Sequence, residues 1–200
     1  WSVGGEQALY DNFRKFASGA EKLICVPSDA TEKLFGGMAN KIPFDPASER
    51  FDILAPDGRL TEPGNFQKLN MALAVRAAEL LGVDRQTAER LALTFPGIER
   101  RMTLHAENAD VALVEDYAHH PTELRASLAS LRLKYPGRHL RVVFQPHRYA
   151  RLKRYVDGFA EELGKCDSLV VTPVFAAWVE KDSLTSEDLA KKIGPKAQYC

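Results

Sequence analysis

The chain has 200 residues, of which 45% are hydrophobic, and its 27 basic and 27 acidic side chains give a formal net charge of zero. This balance argues against a general nucleic-acid binder, which carries a basic excess. No apolar run approaches the roughly 20 residues needed to span a bilayer, and no secretory signal opens the chain, so a cytoplasmic protein without a membrane partner is expected.

The first part of the chain predicts short helices and extended segments. Apolar residues recur at helical spacing over 5–20. The segment KLICVPSD, residues 22–29, predicts a buried strand, and a helix is expected after Asp29 as its N-cap. The turn Pro56-Asp57-Gly58 favours a β-hairpin.

Two helices are predicted before the middle of the chain. Residues 65–82 form an Ala- and Leu-rich amphipathic pattern that ends at Gly82. Asp84 is a suitable N-cap for a following helix over 85–94. Pro96-Gly97 then breaks the pattern and indicates a boundary between domains.

The second half alternates between strand and helix patterns. The predicted elements are strand 111–118, helix 121–135, strand 140–146, helix 150–164, strand 168–174 and helix 185–193. Short links between alternating strands and helices are typical of right-handed βαβ units. The expected fold class is therefore α/β, with a Rossmann-like parallel sheet in the second half.

Two of these strands end in side chains that suit ligand binding. Asp116 and the pair His119-His120 follow the first strand and precede Pro121, which is well placed in the first turn of a helix. The N–H groups of such a turn favour an anion. His147, Arg148 and Arg151 follow the second strand. Since ligands bind beyond the carboxyl ends of parallel strands, both turns are expected at one edge of the sheet.

Simpler interpretations stay open for these residues. His119 and His120 could cap the helix or lie at the surface, and a zinc site with His147 is a weaker alternative because no thiolate accompanies them. Cys25, Cys166 and Cys200 are too far apart in sequence to suggest a disulfide framework or a metal site.

Further polar and aromatic residues have two interpretations each. Asp116 could accept hydrogen bonds from sugar hydroxyls. Arg100-Arg101 follows the predicted boundary and could reach a ligand bound between domains. Asn70 is a polar residue on an apolar helix face, and Phe175 and Trp178 are expected in the core.

Four segments together resemble the motifs of the Mur ligases. They occur in the family's order and spacing over almost the whole chain, and they are GNFQKLN (64–70), FPGIERR (95–101), EDYAHHPTE (115–123) and FQPHRY (144–149). The resemblance implies that residues 1–98 end a central ATP-binding domain and that residues 99–200 form a C-terminal Rossmann-like domain.

The resemblance also implies a reaction. ATP would phosphorylate the carboxylate of UDP-N-acetylmuramate, and L-alanine would attack the acyl phosphate, with Mg²⁺ stabilising the developing charge. The segment FQPHRY favours this alanine-adding reaction over the recycling of a tripeptide, which stays an alternative. A non-catalytic binding module on the same fold is a second alternative.

The motif positions imply roles for individual residues. Asn70 and Gln67 would hold the adenine, and Asp116 the ribose. Arg101 would contact the ATP phosphates, and with His119 it would be catalytic. The side chains expected to line the substrate cleft are His119, His120, His147, Arg148 and Arg151.

Several departures from the family pattern limit this assignment. Phe66 replaces a motif histidine, Gln67 replaces an asparagine, and Ala150 and Leu152 stand where Ser or Thr is common. The 200 residues contain no G-x-x-x-x-G-K-[ST] segment to cradle the β- and γ-phosphates. Because the chain begins at Trp1, it is interpreted as a piece of a longer protein, and the piece alone is predicted to lack ligase activity. The magnesium ligands are expected outside it, and no metal-binding residue is assigned within it.

Overall fold

The structure is a computed structural model that describes residues 4–56, 66–176 and 183–200. These residues fall into two compact units, a first unit that ends at Phe95 and a second unit that begins at Pro96. Within the described ranges, no helix is both long and apolar enough to cross a membrane. The assignment of residues 1–98 and 99–200 to two named ligase domains stays a prediction.

The first unit contains four helices and a short parallel strand pair in its described part. The elements are α1 (Gly5–Ser18), β1 (Leu23–Cys25), α2 (Asp29–Phe35), β2 (Lys41–Pro43), α3 (Phe66–Leu80) and α4 (Arg85–Leu93). Strands β1 and β2 pair in parallel. Phe44, Phe51 and Val75 are each at most 2% exposed and form the centre of the core.

Local hydrogen bonds explain where two of these helices begin. Ser28 caps α2, because its hydroxyl accepts from the Thr31 amide at 3.1 Å. The prediction that Asp29 is the cap is therefore wrong by one residue. Asp84 caps α4 by accepting from the Thr87 amide at 2.9 Å, which confirms that prediction. The predicted hairpin lies largely outside the described residues, since only Pro56 of its turn is described.

The second unit alternates strands and helices, as the pattern predicts, and the α/β fold class is confirmed. Its elements are β3 (Thr103–Glu107), β4 (Ala112–Glu115), α5 (Pro121–Lys134), β5 (Arg141–Phe144), α6 (Tyr149–Leu163), β6 (Ser168–Val171), α7 (Ser186–Ile193) and β7 (Ala197–Tyr199). Strands β5, β6 and β7 form a parallel sheet in that order.

Two strands of the second unit were not predicted. β3 pairs with β4 in an antiparallel ladder that shifts register between Leu104 and Ala106. β7 is a three-residue strand beside β6. Among the described residues, β4 is hydrogen-bonded to β3 and not to β5, so the two motif-bearing strands belong to separate ladders.

Helix packing nevertheless brings the ends of β4 and β5 together. α5 packs on α6, and α6 packs on α7, over a core that includes Phe144, Phe159 and Leu163. A Cβ atom at Gly158 of α6 would lie 3.0 Å from Cγ of Pro121, the first residue of α5. The absence of a side chain at Gly158 thus lets α6 approach the first turn of α5 closely.

Candidate functional site

The turn between β4 and α5 is built around the carboxylate of Asp116. Its Oδ1 accepts from the Ala118 amide at 2.8 Å and from the Ser127 hydroxyl at 3.0 Å. Its Oδ2 accepts from the Met102 amide at 2.9 Å. Three hydrogen bonds use most of the acceptor capacity of a carboxylate. Asp116 therefore fixes the turn that carries the two histidines, in addition to any role with a ligand.

His120 and Glu123 close the N-terminus of α5. The His120 imidazole Nδ1 accepts from the Thr122 amide at 3.3 Å, and the His120 ring lies 4.5 Å from the Tyr155 ring. The Glu123 carboxylate accepts from the amides of His119 at 2.8 Å and His120 at 3.1 Å. A carboxylate of the chain itself thus lies at the helix terminus where the sequence suggested a bound anion. The capping interpretation of His120 holds.

The His119 ring lies beside this cap, with its Nδ1 3.6 Å from the Glu123 carboxylate. Its Nδ1 lies 2.8 Å from the carbonyl oxygen of Tyr117. A carbonyl only accepts, so Nδ1 carries the proton, and in the neutral ring Nε2 is then the acceptor. The His119 ring meets the edge of Tyr117 at 5.0 Å and lies 5.9 Å from the ring of His147. Residues of the two predicted turns therefore do come together.

His147 extends this arrangement toward the segment after β6. Its ring stacks on Phe175 with centroids 5.3 Å apart and planes 20° apart. We call the rings of Tyr117, His119, His147 and Phe175 the aromatic row. Phe175 is 49% exposed, so the prediction that it lies in the core is wrong. Trp178 lies outside the described residues.

The turn between β5 and α6 and the first turn of α6 each place an arginine beside the aromatic row. Arg148 adopts a φ of 69°, and its amide donates to the Phe175 carbonyl at 2.9 Å. The Arg151 guanidinium lies 3.1 Å from Nδ1 of His147 through Nη1. Burial, and then the positive charges of Arg151 and Arg148, hold the pKa of His147 below its usual 6.5. His147 is therefore neutral at neutral pH.

Arg100 and Arg101 lie on the other side of the aromatic row. The Arg100 guanidinium is 4.8 Å from the centre of the Tyr117 ring and donates to Glu115 at 2.9 Å. The Arg101 guanidinium is 5.7 Å from the same ring and 3.8 Å from the Glu123 carboxylate. Tyr117 and Glu123 have no role predicted from the sequence, although both belong to the EDYAHHPTE segment.

The structure thus groups most of the predicted residues of the second unit. Arg101, Asp116, His119, His147 and Arg151 all belong to, or border, the two turns joined by the aromatic row. The arginines among these residues are suited to bind phosphate and carboxylate groups.

The two predicted adenine contacts, Asn70 and Gln67, belong to the first unit. Both side chains are exposed on α3.

The geometry does not favour the zinc alternative. His120 turns toward Tyr155 and the helix cap, while His119 and His147 face each other. Across the described part of the chain, no group of three or more His, Cys, Asp or Glu side chains is placed to hold a metal ion. A magnesium ion accordingly has no fitting ligand set among these residues.

Comparison with known proteins gives consistent results. Residues 100–200 match the family model described as Mur ligase, glutamate ligase domain. A UDP-N-acetylmuramate–L-alanine ligase of Halorhodospira halophila is 46% identical over 138 residues, covering 64% of this chain and 28% of the relative. The enzyme of the same name from Bifidobacterium longum subsp. infantis is 43% identical over 118 residues, covering 59% of this chain and 23% of the relative.

Two solved structures share the fold. A UDP-N-acetylmuramate-alanine ligase from Thermotoga maritima has a TM-score of 0.56 and 26% identity, covering 70% of this chain and 30% of that one. A murein peptide ligase from Psychrobacter arcticus has a TM-score of 0.56 and 18% identity, covering 97% of this chain and 46% of that one. The chain therefore spans less than half of each of these relatives. The family match extends over half of the chain, and the chain belongs to the Mur ligase family.

Proposed function

We propose that this chain is part of a cytoplasmic, ATP-dependent ligase that joins L-alanine to UDP-N-acetylmuramate in the synthesis of peptidoglycan precursors. The names of the relatives at 46% and 43% identity support this substrate pair. The structural observation that carries the proposal is the meeting of the EDYAHHPTE and FQPHRY turns, with His119 and His147 5.9 Å apart. Arginines from both sides surround this meeting point.

The proposed reaction forms one amide bond. The muramate carboxylate oxygen attacks the γ-phosphorus of ATP, and ADP leaves with the bonding electrons. The amine of L-alanine then attacks the carbonyl carbon of the acyl phosphate. The tetrahedral intermediate expels inorganic phosphate, and the nitrogen loses a proton. Negative charge moves onto phosphoryl and carbonyl oxygens in both steps, and cations aimed at those oxygens stabilise it.

The residues of the second unit suit this chemistry. Arg101, Arg148 and Arg151 supply guanidinium donors for phosphate or carboxylate oxygens. His119 keeps its proton on Nδ1 through the Tyr117 carbonyl, at 2.8 Å. Its Nε2 can therefore accept the proton that the attacking amine loses. His120 keeps its assignment as a substrate-binding residue only as a prediction, because its ring caps α5.

The nucleotide-binding assignments follow the motif positions. Oδ2 of Asp116 accepts one hydrogen bond from Met102, and we assign this oxygen to a ribose hydroxyl. Asn70 and Gln67 are assigned to the adenine. Mg²⁺ is assigned to ligands outside the described residues, and none of the steps above is attributed to it.

A substrate competition assay tests the proposal. In a full-length ligase that contains this chain, ADP release should require UDP-N-acetylmuramate and should be driven by L-alanine in preference to a tripeptide. A preference for the tripeptide would show that the ligase catalyses the recycling reaction instead. The absence of any amine-dependent ADP release would favour the non-catalytic binding module.

A further inference from the structure

His147 is held from several directions. Its ring stacks on Phe175 at 5.3 Å. Its backbone pairs with the same residue, because the Phe175 amide donates to the Pro146 carbonyl at 2.8 Å and the Arg148 amide donates to the Phe175 carbonyl at 2.9 Å. The next residue that points into the core, Tyr149, is buried and begins α6. The imidazole therefore has a fixed position and plane.

Arg151 uses this fixed ring as an anchor. Its Nη1 lies 3.1 Å from the imidazole Nδ1 of His147 and 3.4 Å from the His147 carbonyl oxygen. A guanidinium has donors and no acceptor, so Nδ1 of His147 must be the acceptor. The neutral ring then carries its proton on Nε2. This tautomer is the opposite of that in His119, whose Nδ1 donates to a carbonyl.

The charged surroundings favour this state of His147. The groups that face its ring are Arg151 from α6, Arg148 from the turn before α6 and the His119 ring from the turn before α5, together with the uncharged ring of Phe175. Partial burial and these cations keep the pKa of His147 low. No carboxylate is among the causes of this shift, so nothing in it favours the imidazolium form.

We propose that His147 is a positioning residue, which acts as a neutral hydrogen-bond acceptor to hold the guanidinium of Arg151 in one orientation for an anionic oxygen of the substrate. The inference rests on the proposed function only for the identity of that anion, a phosphoryl or carboxyl oxygen. A planar guanidinium binds such oxygens through a fixed fork of donors, so its orientation decides whether two parallel bonds form. Protonation of His147 would remove the acceptor and release Arg151.

The tautomer of His147 can be measured directly. Nitrogen-15 NMR of the imidazoles in the unmodified 200-residue chain, at about pH 8 where histidine is neutral, should show His147 protonated at Nε2 and His119 protonated at Nδ1. A neutral His147 protonated at Nδ1 would overturn the proposal, because that nitrogen could not accept from Arg151. This measurement needs no substitution and no bound ligand.

Two matched variants test the positioning. Phenylalanine keeps the stack on Phe175 and removes the acceptor, whereas asparagine places an acceptor oxygen near the position of Nδ1. Rotation about the Arg151 Nε–Cζ bond should be slow in the unmodified chain and in His147→Asn, and fast in His147→Phe. Lowering the pH below the pKa of His147, which itself lies below the usual 6.5, should speed it only in the unmodified chain. Equal mobility in all three proteins would overturn the proposal.

Kinetics of the full-length ligase separate this inference from the proposed function. His147→Phe should lower kcat/KM by about tenfold more than His147→Asn does. In the unmodified ligase, protonation of His147 should lower kcat/KM at acid pH, and this decrease should be absent in His147→Asn. Equal losses in both variants would contradict positioning through Arg151. One outcome is that the NMR experiments give the expected His147 tautomer and Arg151 rotation while the ligase shows no alanine-dependent ADP release. In that case the proposed function is wrong, but the positioning of Arg151 by His147 is supported.

Discussion

The imidazole rings of His119 and His147 lie 5.9 Å apart, although the strands that carry them belong to separate ladders. The contact depends on the packing of α5 against α6. Pro121 begins α5, and Gly158 of α6 faces it with no side chain between them. The meeting of the two motifs is thus set by helix packing and not by strand pairing.

Gly158 is therefore expected to be intolerant of larger residues. Gly158→Val should lower the free energy of unfolding by about 1–3 kcal/mol, because the new side chain overlaps Pro121. Urea denaturation measures this change, and nuclear Overhauser effects between the two histidine rings report their separation. Ala150→Val is an exposed control on the same helix. Equal effects of both substitutions would contradict the steric account.

An ion pair between the buried Glu162 and the exposed Arg125 also joins α5 to α6. Glu162, whose side chain is 1% exposed, lies 2.7 Å from Arg125 and 2.6 Å from Lys165. Burial alone would raise the pKa of Glu162, but hydrogen bonds from Arg125 and Lys165 outweigh it and lower the pKa. Glu162→Gln should destabilise the second unit by about 1.5–3 kcal/mol, the usual range for a hydrogen bond to a charged group.

Glu161 provides the matched control for that substitution. Its side chain is 64% exposed, and its ion pairs with Arg125 and Lys165 are longer, at 3.9 and 3.7 Å. Glu161→Gln should change the free energy of unfolding by about 0.5 kcal/mol or less, as for most exposed pairs. A loss as large as that of Glu162→Gln would show that burial of the carboxylate does not matter.

His147 should make stability depend on pH. Its pKa in the folded chain lies below 6.5, the usual value, which applies to the unfolded chain. At a pH between the folded and the unfolded pKa, the unfolded chain therefore binds more protons than the folded chain. Its contribution to stability is therefore complete above about pH 6.5 and is lost as the pH falls through the folded pKa. Urea midpoints measured across this range should show a smaller decrease in His147→Asn than in the unmodified chain. Identical profiles would remove His147 as the cause.

Asp116 is expected to have a structural and a nucleotide-binding role. Asp116→Ala breaks the bonds from Met102, Ala118 and Ser127, so the chain should lose about 1–3 kcal/mol of stability. In the full-length ligase, loss of a ribose contact should also raise the apparent KM for ATP about tenfold to a hundredfold. Ser127→Ala removes one structural bond and should leave that KM within about threefold. The ribose assignment fails if ATP dependence is unchanged in Asp116→Ala.

The alternating pattern of the second half is sufficient to predict three of its strand and helix pairs, because apolar periodicity and caps are local features. β3 was missed although Leu104 and Ala106 alternate with polar residues, because an alternation over five residues with one large apolar side chain is a weak signal. A hairpin signal was nevertheless present, since the Asn108 side chain accepts from the amides of Asp110 and Val111. The pairing of β4 with β3 is a long-range choice that local patterns do not determine.

The candidate site was predictable in membership but not in detail. The motif letters identified Arg101, Asp116, His119 and His147, because those residue types suit anions and nucleotides. The opposite tautomers of the two histidines depend on which groups face each ring in space. The stack of Phe175 on His147 likewise joins residues 28 positions apart, and no local pattern indicates it.

The most direct test of the account is the initial rate of ADP release by a full-length ligase that contains this chain, compared with that of the 200-residue chain alone. We expect release that requires ATP, UDP-N-acetylmuramate and L-alanine together in the full-length protein. We expect none from the 200-residue chain, which lacks a phosphate-binding loop segment. Release without L-alanine dependence in the full-length ligase, or release by the 200-residue chain, would contradict the account.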